Sequence, residues 1–80
     1  MFTYIDNEQL KKELKKLVID SGMTQREVAE KMKVKPQQYN NIVNKENLAF
    51  RDVKRIVNAC GYELHIDFVP IEQIRDKEII

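Results

Sequence analysis

Four side-chain amides stand close together at Gln37, Gln38, Asn40 and Asn41, inside the stretch TQREVAEKMKVKPQQYNNIVNK that runs from Thr24 to Lys45. A carboxamide donates and accepts at once, which matches the N6 and N7 edge of adenine in the major groove of DNA. The plainer reading is a polar helix face turned to solvent. Against it, asparagine is a poor helix former, and two adjacent asparagines weaken a helix with few turns to spare. Glu or Lys would serve solubility better. The amides therefore point to hydrogen-bonding recognition, and the elements around them must hold them in place.

Other chemistry is sparse. His65 is the single histidine and Cys60 the single cysteine. The usual zinc ligands are thus missing within one chain, and the lone cysteine excludes an internal disulfide, as suits a reducing cytoplasm. His65 falls on the polar side of an alternating run with no nucleophile or second ligand nearby. Cys60 falls on the apolar face of a helix, where it fills core space. No carboxylate pair, glycine-rich phosphate loop or Ser/His/Asp set stands out. The expectation is a non-enzyme with no cofactor and no metal.

The positioning elements follow from caps and periods. Asp6 followed by Gln9 reads as a capping box that opens a helix reaching about Asp20. Its apolar stripe is Leu10, Leu14, Leu17 and Val18, and Gly22 ends it. Thr24 with Glu27 is a second capping box, starting a helix at Gln25 that lasts to about Met32. Lys33, Val34 and Lys35 connect it to a third helix, with Pro36 as first residue and an end near Val43 or Asn44. A polar loop, NKENLA, leads to a fourth helix over 50–60, with Phe50, Val53, Ile56, Val57 and Cys60 on one face and Gly61 as its stop. Beyond Gly61 the period drops to two. Tyr62, Leu64, Ile66 and Phe68 alternate with Glu63, His65 and Asp67, which predicts a strand with one buried face, ended by Pro70. Residues 1–5 read as a short strand or a packed arm, and 71–80 as a short helix or a loose tail.

Eighty residues, 42% apolar and 34% charged, fit one ordinary domain with a modest core. No apolar run approaches the ~20 residues of a membrane span, and no signal-peptide pattern opens the chain. The expected location is cytoplasmic, without a membrane partner. Charge is divided along the chain. Residues 1–62 carry twelve Lys/Arg against eight Asp/Glu, whereas 63–80 carry two against five. The reading is a basic domain over 1–69 and an acidic tail over 70–80.

Two short helices joined by a tight turn, the second rich in amides, form a helix-turn-helix arrangement. Val28, Ala29, Met32, Val34, Tyr39 and Ile42 would be its core, with Ala29 small enough for two helix backbones to cross closely. On GMTQREVAEKMKV, the Ile42 and Asn44 pair, and VKRIVNACGYEL, the chain from about Leu10 to Leu64 resembles the lambda-repressor and Cro-like (XRE) helix-turn-helix family. The resemblance implies a mainly α, four-helix, lambda-repressor-like domain, to which the periodicity adds a C-terminal β-strand. It also implies that Lys35, Gln37, Gln38, Asn40 and Asn41 face the major groove. Gln25 would hold a phosphate at a helix start, with Arg26, Asn44 and Lys45 as further backbone contacts. Three positions depart from the family pattern. Lys33 stands where glycine is common, Lys35 where a Ser or Thr cap is usual, and Tyr39 where an aliphatic residue is usual.

One reading helix spans only a few base pairs, so tight binding needs two copies about one DNA turn apart, ~34 Å. Tyr62, Leu64, Ile66 and Phe68 are the expected dimer interface. An isolated strand needs a partner: either residues 2–5 of the same chain or the same strand of a second copy. The resulting expectation is a homodimeric, sequence-specific regulator of transcription on double-stranded DNA. It would be a repressor of phage, mobile-element or antitoxin type, reading with helix 36–44. The alternative is a protein-interaction module on the same fold, binding a toxin or polymerase through its acidic, isoleucine-ended tail, with weak or no DNA binding.

Overall fold

The computed structural model describes residues 2–71, and four helices account for most of them: α1 (Asn7–Asp20), α2 (Gln25–Lys31), α3 (Pro36–Val43) and α4 (Phe50–Ala59). The first two begin where the sequence places caps. The Asp6 carboxylate accepts the Gln9 N–H at 2.9 Å, while Gln9 Oε1 accepts from Ile5 N–H at 2.7 Å. Gln9 thus reaches one residue further back than a standard capping box. Thr24 and Glu27 form the reciprocal pair expected of them, at 3.1 and 3.2 Å.

α2 and α3 have only 7 and 8 residues, too short to hold helical form alone in water. Tertiary packing holds them. α2 packs on α3 and α4, and α1 packs on α4. The core joins Leu14 and Val18 of α1, Val28 and Ala29 of α2, Met32, Tyr39 of α3, Leu48, and Val53, Ile56 and Val57 of α4, with Cys60. Val28, Ala29 and Ile56 are completely buried. Burial of side chains such as Val28 and Ile56 stabilises the fold by about 1.5–3 kcal/mol each. Ala29, the small residue expected where two helices cross, is among those fully buried.

One expectation is corrected, and a second is not confirmed among the described residues. Phe50 does not join the buried face of α4; it is 67% exposed, and Asp52 is buried in its place. The same turn carries Asp52 and Val53 into the interior, so Phe50 lies on its outer side. Residues 62–69 follow α4 without a ladder, and no strand occurs among the described residues. Of the alternating apolar set, only Leu64 packs against the core. Residues 2–5 make no backbone hydrogen bond to 62–69. Pairing within the chain is therefore absent from the described residues, and a segment without a partner cannot show a sheet. The expected acidic tail lies, from residue 72 on, outside the described residues.

Candidate nucleic-acid interface

The turn between α2 and α3 sets the angle of the amide-bearing helix. The Val34 N–H donates to Ala29 O and the Lys33 N–H to Glu30 O, both at 3.0 Å, a Schellman closure around Lys33. That closure needs a left-handed residue, and Lys33 takes it with φ of 61°. A side chain in this region carries strain that glycine would not. Arg55 of α4, an exposed residue, adds a long hydrogen bond to Met32 O, 3.4 Å, which ties the end of α2 to α4.

α3 starts on Lys35, whose side chain makes no capping hydrogen bond. Gln38 compensates: its Oε1 accepts the Lys35 N–H at 2.8 Å. One of the four amides is thus engaged in starting its own helix, leaving its NH₂ outward as donor. Tyr39 is the anchor of α3, 4% exposed among core side chains. Burial pushes its hydroxyl above the ordinary 10.0, with the neighbouring Cys60 thiol adding to the shift. Burial likewise raises the Cys60 thiol above its ordinary value, partly opposed by the neighbouring Ser21 side chain. Both stay uncharged at neutral pH, as a core position demands.

With Tyr39 inward and Ile42 and Val43 half-buried, the opposite side of α3 is free. Lys35, Gln37, Gln38, Asn40 and Asn41 are all exposed. At ~100° per residue, Gln37, Asn41 and Asn44 lie most nearly opposite Tyr39, and Gln38 and Asn40 flank them. Asn44, expected beside the backbone contacts, therefore continues the amide stripe. Gln25 and Arg26 are exposed in the first turn of α2.

Lys45 has a second attachment. Its ammonium lies 3.2 Å from Asp52 Oδ2, and the Asp52 side chain is only 6% exposed. This pair ties the start of the α3–α4 loop to the first turn of α4. The loop's other end is held by Asn7, whose Nδ2 donates to Asn47 Oδ1 at 2.9 Å. Sequence reading missed Asp52. Its only local signal is an acidic residue in the first turn of a helix, where it also favours the helix dipole. Sequence reading also missed three lysines of α1: Lys11, Lys12 and Lys15 line a groove of about 460 Å³ with Tyr39, Val43 and Asn44 of the α3 region. Glu8 lines the same groove 3.7 Å from Lys11 and offsets part of their charge.

A capped helix, a left-handed turn and an outward amide helix anchored by one aromatic ring together make up a helix-turn-helix. The helix-turn-helix family model matches residues 14–66. The chain belongs to the XRE, lambda-repressor and Cro-like helix-turn-helix family. This XRE family is one of DNA-binding regulators, typically without enzymatic activity. Comparison of the XRE chain with curated proteins and with solved structures gave no match. Among the described residues no helix is long and apolar enough to cross a membrane, and no group of His, Cys, Asp and Glu is arranged to hold a metal ion.

Proposed function

We propose that this protein is a sequence-specific regulator of transcription, a repressor of phage, mobile-element or antitoxin type. It would bind double-stranded DNA as a homodimer, with α3 in the major groove. One observation carries the reading. α3 is fixed from behind by Tyr39, while every amide on it, with Lys35, is exposed. A helix held this way presents donors and acceptors in a defined direction, which base readout requires. Gln37 and Asn41 sit centrally and are the leading base readers, with Lys35, Gln38 and Asn40 at the edges. Gln25, at the N-terminus of α2, holds a phosphate with Arg26, and Asn44 and Lys45 complete the backbone contacts. Lys45 does so with its charge partly offset by Asp52.

Selection of bound sites from random duplex DNA tests this reading. The expected result is a two-fold symmetric site with half-sites about 10 bp apart and affinity that falls steeply with salt. Replacing Gln37, Gln38 and Asn41 together by alanine should flatten base preference by ~1–3 kcal/mol per contacted position and leave the salt dependence in place. Unchanged preference in that variant would remove α3 as the reading helix. Absence of any selected site would remove DNA recognition altogether.

A further inference from the structure

We infer that Asp52 is a positioning residue of the DNA surface: it holds Lys45 in a neutral pair and thereby sets how steeply binding depends on salt. This rests on the proposed DNA reading, with Lys45 as a backbone contact. Asp52 is the third residue of α4, where an acid ordinarily stays in water and favours the helix dipole. Here its side chain is only 6% exposed. Its carboxylate accepts a hydrogen bond from the Lys45 ammonium at 3.2 Å, and no other cation among the described residues pairs with it.

The pair resists opening. Among the described residues no buried side-chain nitrogen or oxygen lacks a hydrogen-bond partner. If Lys45 swung out to meet a phosphate alone, it would leave a buried carboxylate without its counter-charge, a costly state. Lys45 has no need to swing. Its side chain is 50% exposed, and an ammonium carries three N–H donors. One donor can stay on Asp52 while the others face outward. The backbone around it is held as well: the Lys45 N–H reaches Ile42 O at 3.3 Å, Asn47 is tied to Asn7, and Leu48 is buried. The loop thus offers Lys45 from a set position, with its charge cancelled from behind.

The other cations expected at DNA differ. Arg26 and Lys35 are exposed and have no carboxylate partner among the described residues. A free cation that neutralises one phosphate adds about 0.9 to the slope of log affinity against log salt. A cation already neutralised by a carboxylate adds much less, while still donating a hydrogen bond. Lys45 then fixes the position of the protein on the backbone, and Arg26 and Lys35 supply the charge. Asp52, buried behind Lys45, decides which kind of contact it is.

Salt titration of duplex binding by the full chain tests this role, with duplex DNA of random sequence as the probe and folding checked by circular dichroism. Asp52→Asn removes the charge and keeps the shape and an acceptor for Lys45. It should steepen the slope by about 0.9 per bound copy, so that its gain over the natural chain shrinks roughly 3- to 4-fold per copy between about 50 and about 200 mM salt. Asp52→Ser should do the same, and it stands in if the asparagine loosens the core. Lys45→Met added to Asp52→Asn should return the slope to that of the natural chain, since one neutral pair has then replaced another. Weaker binding by Asp52→Asn at every salt concentration, with the slope unchanged, would make Asp52 merely structural and overturn the proposal. A slope that stays steep in the double variant would also overturn it, because the added cation would then not be Lys45. Absence of duplex binding by the natural chain is a separate result. It removes the DNA reading and the role of Asp52 with it, whereas an unchanged slope removes the role of Asp52 alone.

Discussion

Lys33 and Tyr39 show how single residues that depart from the family pattern are accommodated. Tyr39 lies in the core where an aliphatic side chain is usual, and the structure absorbs it by burying the ring and keeping the hydroxyl protonated. Lys33 has no such compensation. Its φ of 61° is imposed by the hydrogen bonds that close the turn. Lys33→Gly should therefore raise stability by about 0.5–1 kcal/mol, the relief of left-handed strain less the entropy glycine loses on folding. Urea unfolding checks it. A fall in stability would mean that the Lys33 side chain makes a contribution larger than the strain. The same comparison should leave base preference unaltered, since the turn already has the geometry glycine would adopt.

At the scale of elements, the four helices differ in how they begin. α1 and α2 have side-chain caps, whereas α3 borrows Gln38 and α4 starts on Ala49 with no side-chain cap. The uncapped start of α4 is partly offset by Asp52, whose carboxylate lies in the first turn and meets Lys45. Ala49→Ser should add about 0.5–1 kcal/mol by supplying the missing acceptor. The expected sign is a higher urea midpoint at unchanged slope. No gain would show that Asp52 already occupies the first-turn N–H groups. Gln38 presents a related tension. The oxygen that starts α3 is the one a bidentate contact to adenine would need, so under the proposed function Gln38 would serve DNA mainly as a donor unless α3 released its cap.

For the whole molecule, a small helical core carries apolar surface it does not cover. Phe2, Tyr4 and Ile5 at one end and Ile66, Phe68, Val69 and Ile71 at the other are exposed. A domain of this size has little stability to spare, so burying part of that surface between two copies should be felt in unfolding. The thermal midpoint is expected to rise with protein concentration, from about 1 µM to about 100 µM, because association stabilises the folded chain by mass action. Calorimetry across that range measures it. A constant midpoint would indicate a monomer throughout.

The sequence by itself determined the features set by near neighbours. Asp6, Thr24, Pro36 and Gly61 mark helix ends through hydrogen bonds and dihedral limits that act within four or five residues, and each mark holds in the structure. The outward amides were legible for the same reason, since Tyr39, Ile42 and Val43 define a helix face and leave the rest to solvent. Only the tertiary structure decided which apolar residues find a cover. Phe50 and Val53 look equivalent in a helical period, yet one is exposed and the other buried, because burial depends on what another helix brings alongside. Asp52 looks like a surface acid until the loop returns Lys45 to it. Residues 62–69 alternate as a strand should, but a strand is a relation between two segments. No periodicity in one chain can supply the second.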